Sequence, residues 1–408
     1  MSNEKVLVIG ASVAGTRAVE AMRQRGFDGS ITLVGAEPEL PYHRPPLSKE
    51  MLGPEPVPED ELRIQPASFF DENGVTLRLG TQARTLDAAA RTVTLASGHR
   101  LAFDKLLIAT GASPRVLDVP GAAIDGVVYL RTLDDALELR RRLVSASDVV
   151  IVGAGLLGLE IAAAARTAGK SVTVLEQGPA PLRRVFHADL ARLVVALHER
   201  RGVVLRTNTT PAAIEGDTRV RGVRLRDGAR LAADLVIVAT GVRPNTTWLR
   251  GSGVPTSNGV VVNELGETAV PGIYAAGDVA RGFNRFANDH IRLEQYGHAH
   301  DQGVAVGRTM TGSPQPFSGL PSSSTVAYGT RIQSVGISRP DLELVMRVSG
   351  ERHVGFLLEA ERVTAAFAFD RARDFAAAKK LVLARAIVPR HLLADDTVPL
   401  VELAGADR

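Results

Sequence analysis

The sequence predicts an α/β chain with two Rossmann-like dinucleotide-binding domains and a C-terminal α+β domain. Three observations predict it. A β-branched run that stops at a glycine, a helix-compatible stretch and a second apolar run occur together twice. Each occurrence is closed downstream by an apolar strand that ends in Ala-Thr-Gly. Beyond about Pro321 the pattern changes to alternating, antiparallel-type strands followed by a helix.

The first unit opens with the apolar run Lys5–Ile9, which halts at Gly10; Ala14–Gln24 follows with helical spacing, and Ser30–Val34 reads as a second strand. The second copy runs through Val149–Val152, Gly153, the helical stretch Leu157–Thr167 and the strand Ser171–Leu175. The closing strands are Leu106–Ile108, before Ala109-Thr110-Gly111, and Leu235–Val238, before Ala239-Thr240-Gly241; a proline follows each. Arg331–Val335, Leu342–Val348 and Val354–Leu358 are the expected strands of the last domain, with a helix at Phe375–Arg385. The expected division is a discontinuous first domain at 1–113 and 245–320, an inserted second domain at 114–244, and a C-terminal domain at 321–408.

Composition removes several function classes. The 408 residues are 45% hydrophobic and 23% charged, an ordinary globular balance. Cysteine is absent, which excludes disulfides, thiolate nucleophiles, Cys-ligated iron–sulfur clusters and any dithiol relay. A net charge of +3 and 4% aromatics give no footprint for nucleic acid. The apolar stretch Val149–Ala165 is short for a bilayer span and contains Glu160, and the N-terminus lacks a leader pattern, so a cytoplasmic protein is expected. His290, His298 and His300 lack the spacing of a metal site, so none is expected. Arg371 to Asp374 alternate in charge and read as a solvated face.

The chemistry lies in the glycine loops. Gly10-Ala-Ser12-Val-Ala14-Gly15 turns tightly, brings backbone N–H groups towards a pyrophosphate and opens a helix whose N-terminus attracts an anion. Ser12 stands where a glycine is usual. Glu37, past the second strand, can accept from both ribose hydroxyls. Gly153-Ala-Gly155-Leu-Leu157-Gly158 matches the pattern in full, and Glu176 ends its second strand. A carboxylate there repels a 2′-phosphate, which favours NADH over NADPH. Two such sites in one chain suggest FAD and NAD, with a hydride passing between them.

With Pro41–Lys49, Leu130–Ala136, Gly158-Leu-Glu160, Tyr274–Val279 and Arg371–Phe375, the chain resembles the two-dinucleotide flavoprotein reductases over nearly its whole length. Within that superfamily it is similar to the NADH-dependent ferredoxin reductases that feed cytochromes P450 and ring-hydroxylating dioxygenases, of the putidaredoxin reductase and biphenyl dioxygenase reductase types. The resemblance implies that Gly10, Ser12, Ala14, Gly15, Glu37, Arg44, Lys49, Ala83, Thr110, Gly111, Arg131, Gly277, Asp278 and Tyr296 hold FAD. It implies that Gly153, Gly155, Leu157, Gly158, Glu160, Glu176, Arg184 and Gly241 hold NADH. Lys49, Glu160 and Glu294 are the expected catalytic residues, the two glutamates facing the nicotinamide. Lys49 is also a cation able to pair with Glu160. Glu160 is expected in the first turn of its helix, near the positive dipole end, and Asp278 at the start of a helix, where capping is an alternative role.

The sequence departs from these reductases at two places. Glu294-Gln295-Tyr296 replaces Glu-x-Trp, and Ser323-Ser324-Thr325-Val326-Ala327 replaces Phe-Trp-Ser-Asp-Gln. The implied function is electron transfer from NADH through FAD to a [2Fe–2S] ferredoxin that serves a P450 or a dioxygenase. Two alternatives are direct reduction of a small molecule or oxygen in a pocket opened by the lost aromatics, and a redox-sensing protein that binds FAD and NAD.

Overall fold

A computed structural model describes residues 3–183 and 186–404. The chain divides into two compact units. One comprises residues 1–44, 58–113 and 242–321; the other comprises 45–57, 114–241 and 322–408.

The first unit is built on a five-stranded parallel sheet, ordered in space Val75–Arg78, Ser30–Val34, Lys5–Ile9, Lys105–Ile108, Ile273–Ala275. Val6, Leu7, Val8 and Ile9 are all buried, as expected of a parallel strand covered on both faces. The helix Val13–Gln24 buries Ala14, Ala18, Val19 and Met22. It packs against Tyr296–Met310 at close range, because a Cβ at Gly303 or Gly307 would meet the backbone of Ala14 or Ala18. A three-stranded antiparallel sheet, Ala83–Asp87, Thr92–Leu95 and Arg100–Ala102, precedes the strand that runs into Ala-Thr-Gly.

The second unit repeats this plan. Its parallel sheet is ordered Val203–Arg206, Ser171–Leu175, Asp148–Val152, Leu235–Val238, Val127–Val128. Its antiparallel sheet is Pro211–Glu215, Gly222–Leu225 and Arg230–Ala232. In both units the first strand of the repeat is central, so its glycine loop emerges where strand order reverses, the usual place for a ligand in such sheets.

The same unit carries a five-stranded antiparallel sheet, ordered Ser322–Ala327, Thr330–Gly336, Arg362–Phe369, Arg352–Glu359, Glu343–Ser349. The helix Ala372–Ala384 covers it through Phe375, Ala378, Leu381 and Val382. Two of these strands, Ser322–Ala327 and Arg362–Phe369, were not among the expected ones. The first is rich in serine, and the second follows a two-residue hairpin at Ala360 and Glu361, both at positive φ without a glycine to mark the turn.

Other expectations are corrected. Asp278 starts no α-helix: Gly277–Val279 is one 3₁₀ turn that leads into the strand Ala280–Asn284. Glu160 is the fifth residue of the helix Leu156–Thr167, one turn in from its start. Arg371 is not on a solvated face; its side chain is 15% exposed and pairs with Asp374 and Asp396.

Candidate functional site

The glycine loops of the two units share one construction. Gly10 donates its N–H to Val34 O and Gly153 its N–H to Leu175 O, each at 2.8 Å. Both glycines sit at positive φ, +124° and +110°. A Cβ on Gly10 would collide with the carbonyl of Ala109, and one on Gly153 with that of Ala239. The alanine of each Ala-Thr-Gly therefore stacks its peptide directly on the first glycine of the partner loop. A Cβ on Gly15 or Gly158 would likewise strike the carbonyl of Gly10 or Gly153, which closes the helix onto the strand.

The residues present fit dinucleotides. Neither Ser12 nor Gly155 caps its helix through a side chain, so the first-turn N–H groups are offered to an anion. A Cβ built on Gly155 meets nothing within 4 Å, so this glycine leaves open space rather than filling a protein contact. Glu37 lies at the first loop, where its carboxylate accepts from Tyr42 Oη and pairs with Arg44 at 2.5 Å. Glu176 accepts from the N–H of Ala154 (3.1 Å) and of Gly178 (2.7 Å), which fixes a carboxylate at the second loop.

The remaining first-unit residues are ordered by the fold. Thr110 Oγ1 donates to Asn245 O and Asn245 Nδ2 donates back to Thr110 O, both at 2.9 Å, while the N–H of Asn245 donates to Gly111 O. Gln302 Oε1 accepts from the N–H of Gly277 at 2.8 Å, which fixes the turn that carries Asp278. Arg292 donates to Asp278 O at 2.9 Å and pairs with Glu294 at 2.6 Å. Tyr296 opens its helix with its hydroxyl 2.7 Å from His43 Nδ1, and burial raises its phenol above the usual value. Ala83 begins the antiparallel sheet.

In the second unit four side chains converge. Lys49 Nζ lies 2.9 Å from Glu160 Oε1 and donates to Pro45 O at 3.1 Å. Ser48 Oγ donates to Glu160 Oε2 and Thr325 Oγ1 to Glu160 Oε1, each at 2.5 Å. The Glu160 side chain is 11% exposed. Behind it lies a cavity of about 10 Å³, lined by Leu156, Leu159, Phe186, Val194, Ile332 and His198, among others. That is room for roughly one water, far below the size of a ligand pocket. His198 is buried with its Nδ1 3.2 Å from Tyr328 Oη; burial pushes the imidazole down to about 4 and the phenol up to about 12. Leu157 is the second residue of the helix, Gly241 O accepts from Arg115 N–H, and the N–H of Arg131 donates to the capping carboxylate Asp135. Arg184 lies outside the described residues.

Sequence reasoning missed Ser48 and Thr325. Ser48 stands beside Lys49 in a quoted motif without a role. Thr325 falls within a stretch defined by what it lacks, and only the strand fold turns its hydroxyl towards Glu160. Arg292 gave no signal at all. Among the described residues no group of three or more His, Cys, Asp or Glu is placed to hold a metal ion, and no helix is long and apolar enough to cross a membrane.

Comparison with known proteins matches residues 4–303 to the model of the pyridine nucleotide-disulphide oxidoreductases and residues 326–404 to that of the reductase C-terminal domain. A ferredoxin–NAD(P)(+) reductase of a Sphingomonas species is 38% identical over 94% of this chain and 94% of its own length. The ferredoxin reductase component of a chlorobenzene dioxygenase from a Cupriavidus species is 36% identical over 99% and 98%. Among solved structures, a chain of the covalent putidaredoxin reductase–putidaredoxin complex matches with a TM-score of 0.95 at 31% identity, covering 100% of this chain and 100% of that one.

Proposed function

The chain belongs to the pyridine nucleotide-disulphide oxidoreductase family, and from that premise we propose that it is an NADH:ferredoxin oxidoreductase. The observation that carries this reading is the pair of like-built glycine loops, each with its own carboxylate, in a chain without cysteine. Two dinucleotides are served, and no dithiol is present to take the electrons onward, so they leave to an external acceptor. That acceptor is a [2Fe–2S] ferredoxin, which in turn serves a P450 or a dioxygenase in a reducing cytosol. The similar reductases support this reading of the acceptor.

FAD, when bound, supplies the conversion of a two-electron hydride donor into single-electron transfers. In this reading Gly10, Ser12, Ala14, Gly15 and Glu37 hold its adenosine diphosphate, with Arg44, Ala83, Thr110, Gly111, Gly277, Asp278 and Tyr296 along the rest of the cofactor. Lys49 and Arg131 are assigned to the same cofactor. Gly153, Gly155, Leu157, Gly158, Glu176 and Gly241 seat NADH, together with Arg184. Glu160 and Glu294 orient the nicotinamide, and Lys49 balances the Glu160 charge. Residues 114–244 form the nucleotide module and 321–408 the acceptor-facing one.

The test is anaerobic. FAD-loaded protein is mixed with NADH, the flavin absorbance is followed, and a [2Fe–2S] ferredoxin is then added. Flavin bleaching at least tenfold faster with NADH than with NADPH is expected from Glu176, followed by ferredoxin reduction that slows as salt is raised. Fast bleaching with no transfer to any of a panel of ferredoxins would instead favour a small-molecule acceptor. The cavity beside Thr325 and Ala327 offers such a molecule no room.

A further inference from the structure

We infer that Thr325, with Ser48, is a positioning residue for the nicotinamide site, acting through Glu160. The inference rests on the reading of Glu160 given above and adds what holds that carboxylate in place. Both of its oxygens are engaged: Oε2 by Ser48 Oγ, Oε1 by Thr325 Oγ1 and Lys49 Nζ. Hydrogen bonds to a charged acceptor are roughly twice as strong as neutral ones, and three donors from two segments far apart in sequence hold the carboxylate from both oxygens. The segments are the 3₁₀ turn Pro45–Ser48 with the Lys49 that follows it, and the strand Ser322–Ala327.

Thr325 is suited to this role by its place in the fold. It lies on an edge strand whose side chains alternate, Thr325 and Ala327 buried, Ser324 and Val326 exposed. Its register partner is Ile332, 1% exposed, so its hydroxyl sits in an apolar surround that includes Leu156, Leu159 and Phe186. The β-branched side chain has little χ1 freedom. Several other threonines give their hydroxyls to backbone carbonyls close in sequence, as Thr167 does to Ala163 and Thr364 to Leu357, and Thr397 gives its own to Asp395 only two residues away. Thr325 spends its hydroxyl on a carboxylate far away in sequence. The segment that departs most from the resembled family thus reaches Glu160 through a residue that keeps a hydroxyl.

The experiment measures binding of NAD⁺ and of ADP-ribose, which lacks the nicotinamide, to oxidised FAD-loaded protein by calorimetry. Thr325→Val is expected to weaken NAD⁺ about tenfold, to leave ADP-ribose unchanged and to slow flavin reduction by NADH by a similar factor. Thr325→Ser, which keeps the hydroxyl, restores NAD⁺ binding to within about twofold. Ser48→Ala, acting on the other oxygen, gives the same nicotinamide-specific loss and serves where the valine variant fails to fold. Equal weakening of both ligands, or no change in either while Glu160→Ala weakens NAD⁺ alone, overturns the inference. A Glu160→Ala variant that binds NAD⁺ and ADP-ribose as the parent does overturns the reading of Glu160 itself.

Discussion

Gly155 separates the demands of the fold from those of a ligand. Gly10 and Gly153 are fixed by the peptides of Ala109 and Ala239, so a side chain there breaks the loop whether or not anything binds. Gly155 has φ −78° and open space around its missing Cβ. Gly155→Ala is therefore expected to keep its melting temperature within about 1 °C and its full complement of FAD, while NADH binding weakens tenfold or more. Differential scanning calorimetry and an NADH titration check this. Gly153→Ala is expected to lose stability as well, because it meets a carbonyl and an unfavourable φ together.

The helices Val13–Gln24 and Tyr296–Met310 carry the first loop and the Tyr296 end of the first unit. Their closeness depends on Gly303 and Gly307 lying over the backbone of Ala14 and Ala18. A methyl at either glycine overpacks the crossing, at a cost of about 1–3 kcal/mol. Gly307→Ala should act mainly on stability, because Ala18 lies deeper in the helix. Gly303→Ala pushes on Ala14, next to the anion-facing first turn, and should in addition release FAD more readily. Flavin fluorescence during dialysis, compared between the two variants, distinguishes these outcomes; equal FAD retention in both would refute the link from crossing to loop.

Across the whole molecule, acid sensitivity has two like sources, a histidine in each unit lowered by burial: His298 in the first, held down to about 4, and His198 in the second. His198 is 1% exposed, and burial lowers its imidazole from the usual 6.5 to about 4. The folded chain keeps it neutral while the unfolded chain takes up a proton below about pH 6.5. Its contribution is thus intact above that pH and is lost as pH falls towards 4, by up to about 3 kcal/mol. Urea midpoints at pH 7 and pH 4.5 should differ less in His198→Gln than in the parent. An unchanged difference would show that His198 does not contribute and would leave His298 as the group that titrates.

The sequence by itself determined the two βαβ repeats, their glycine loops and the carboxylates that follow them. These are local: apolar runs of period two or 3.6, a glycine where φ must turn positive, an acid at the end of a strand. It also determined the absence of any thiol chemistry. The Lys49–Glu160 pair was legible as a possibility because both residues sit in recognisable motifs, but Ser48 and Thr325 were not, nor were Arg292 and the buried His198. Those depend on contacts between residues far apart in sequence, and a hydroxyl leaves no periodicity or spacing to read. Tertiary structure alone decided that the serine-rich stretch at Ser323–Ala327 is a strand, and that it turns a threonine onto Glu160. The reason is that strand pairing with Thr330–Gly336 sets which side chains face inward, and register is a property of two segments rather than one.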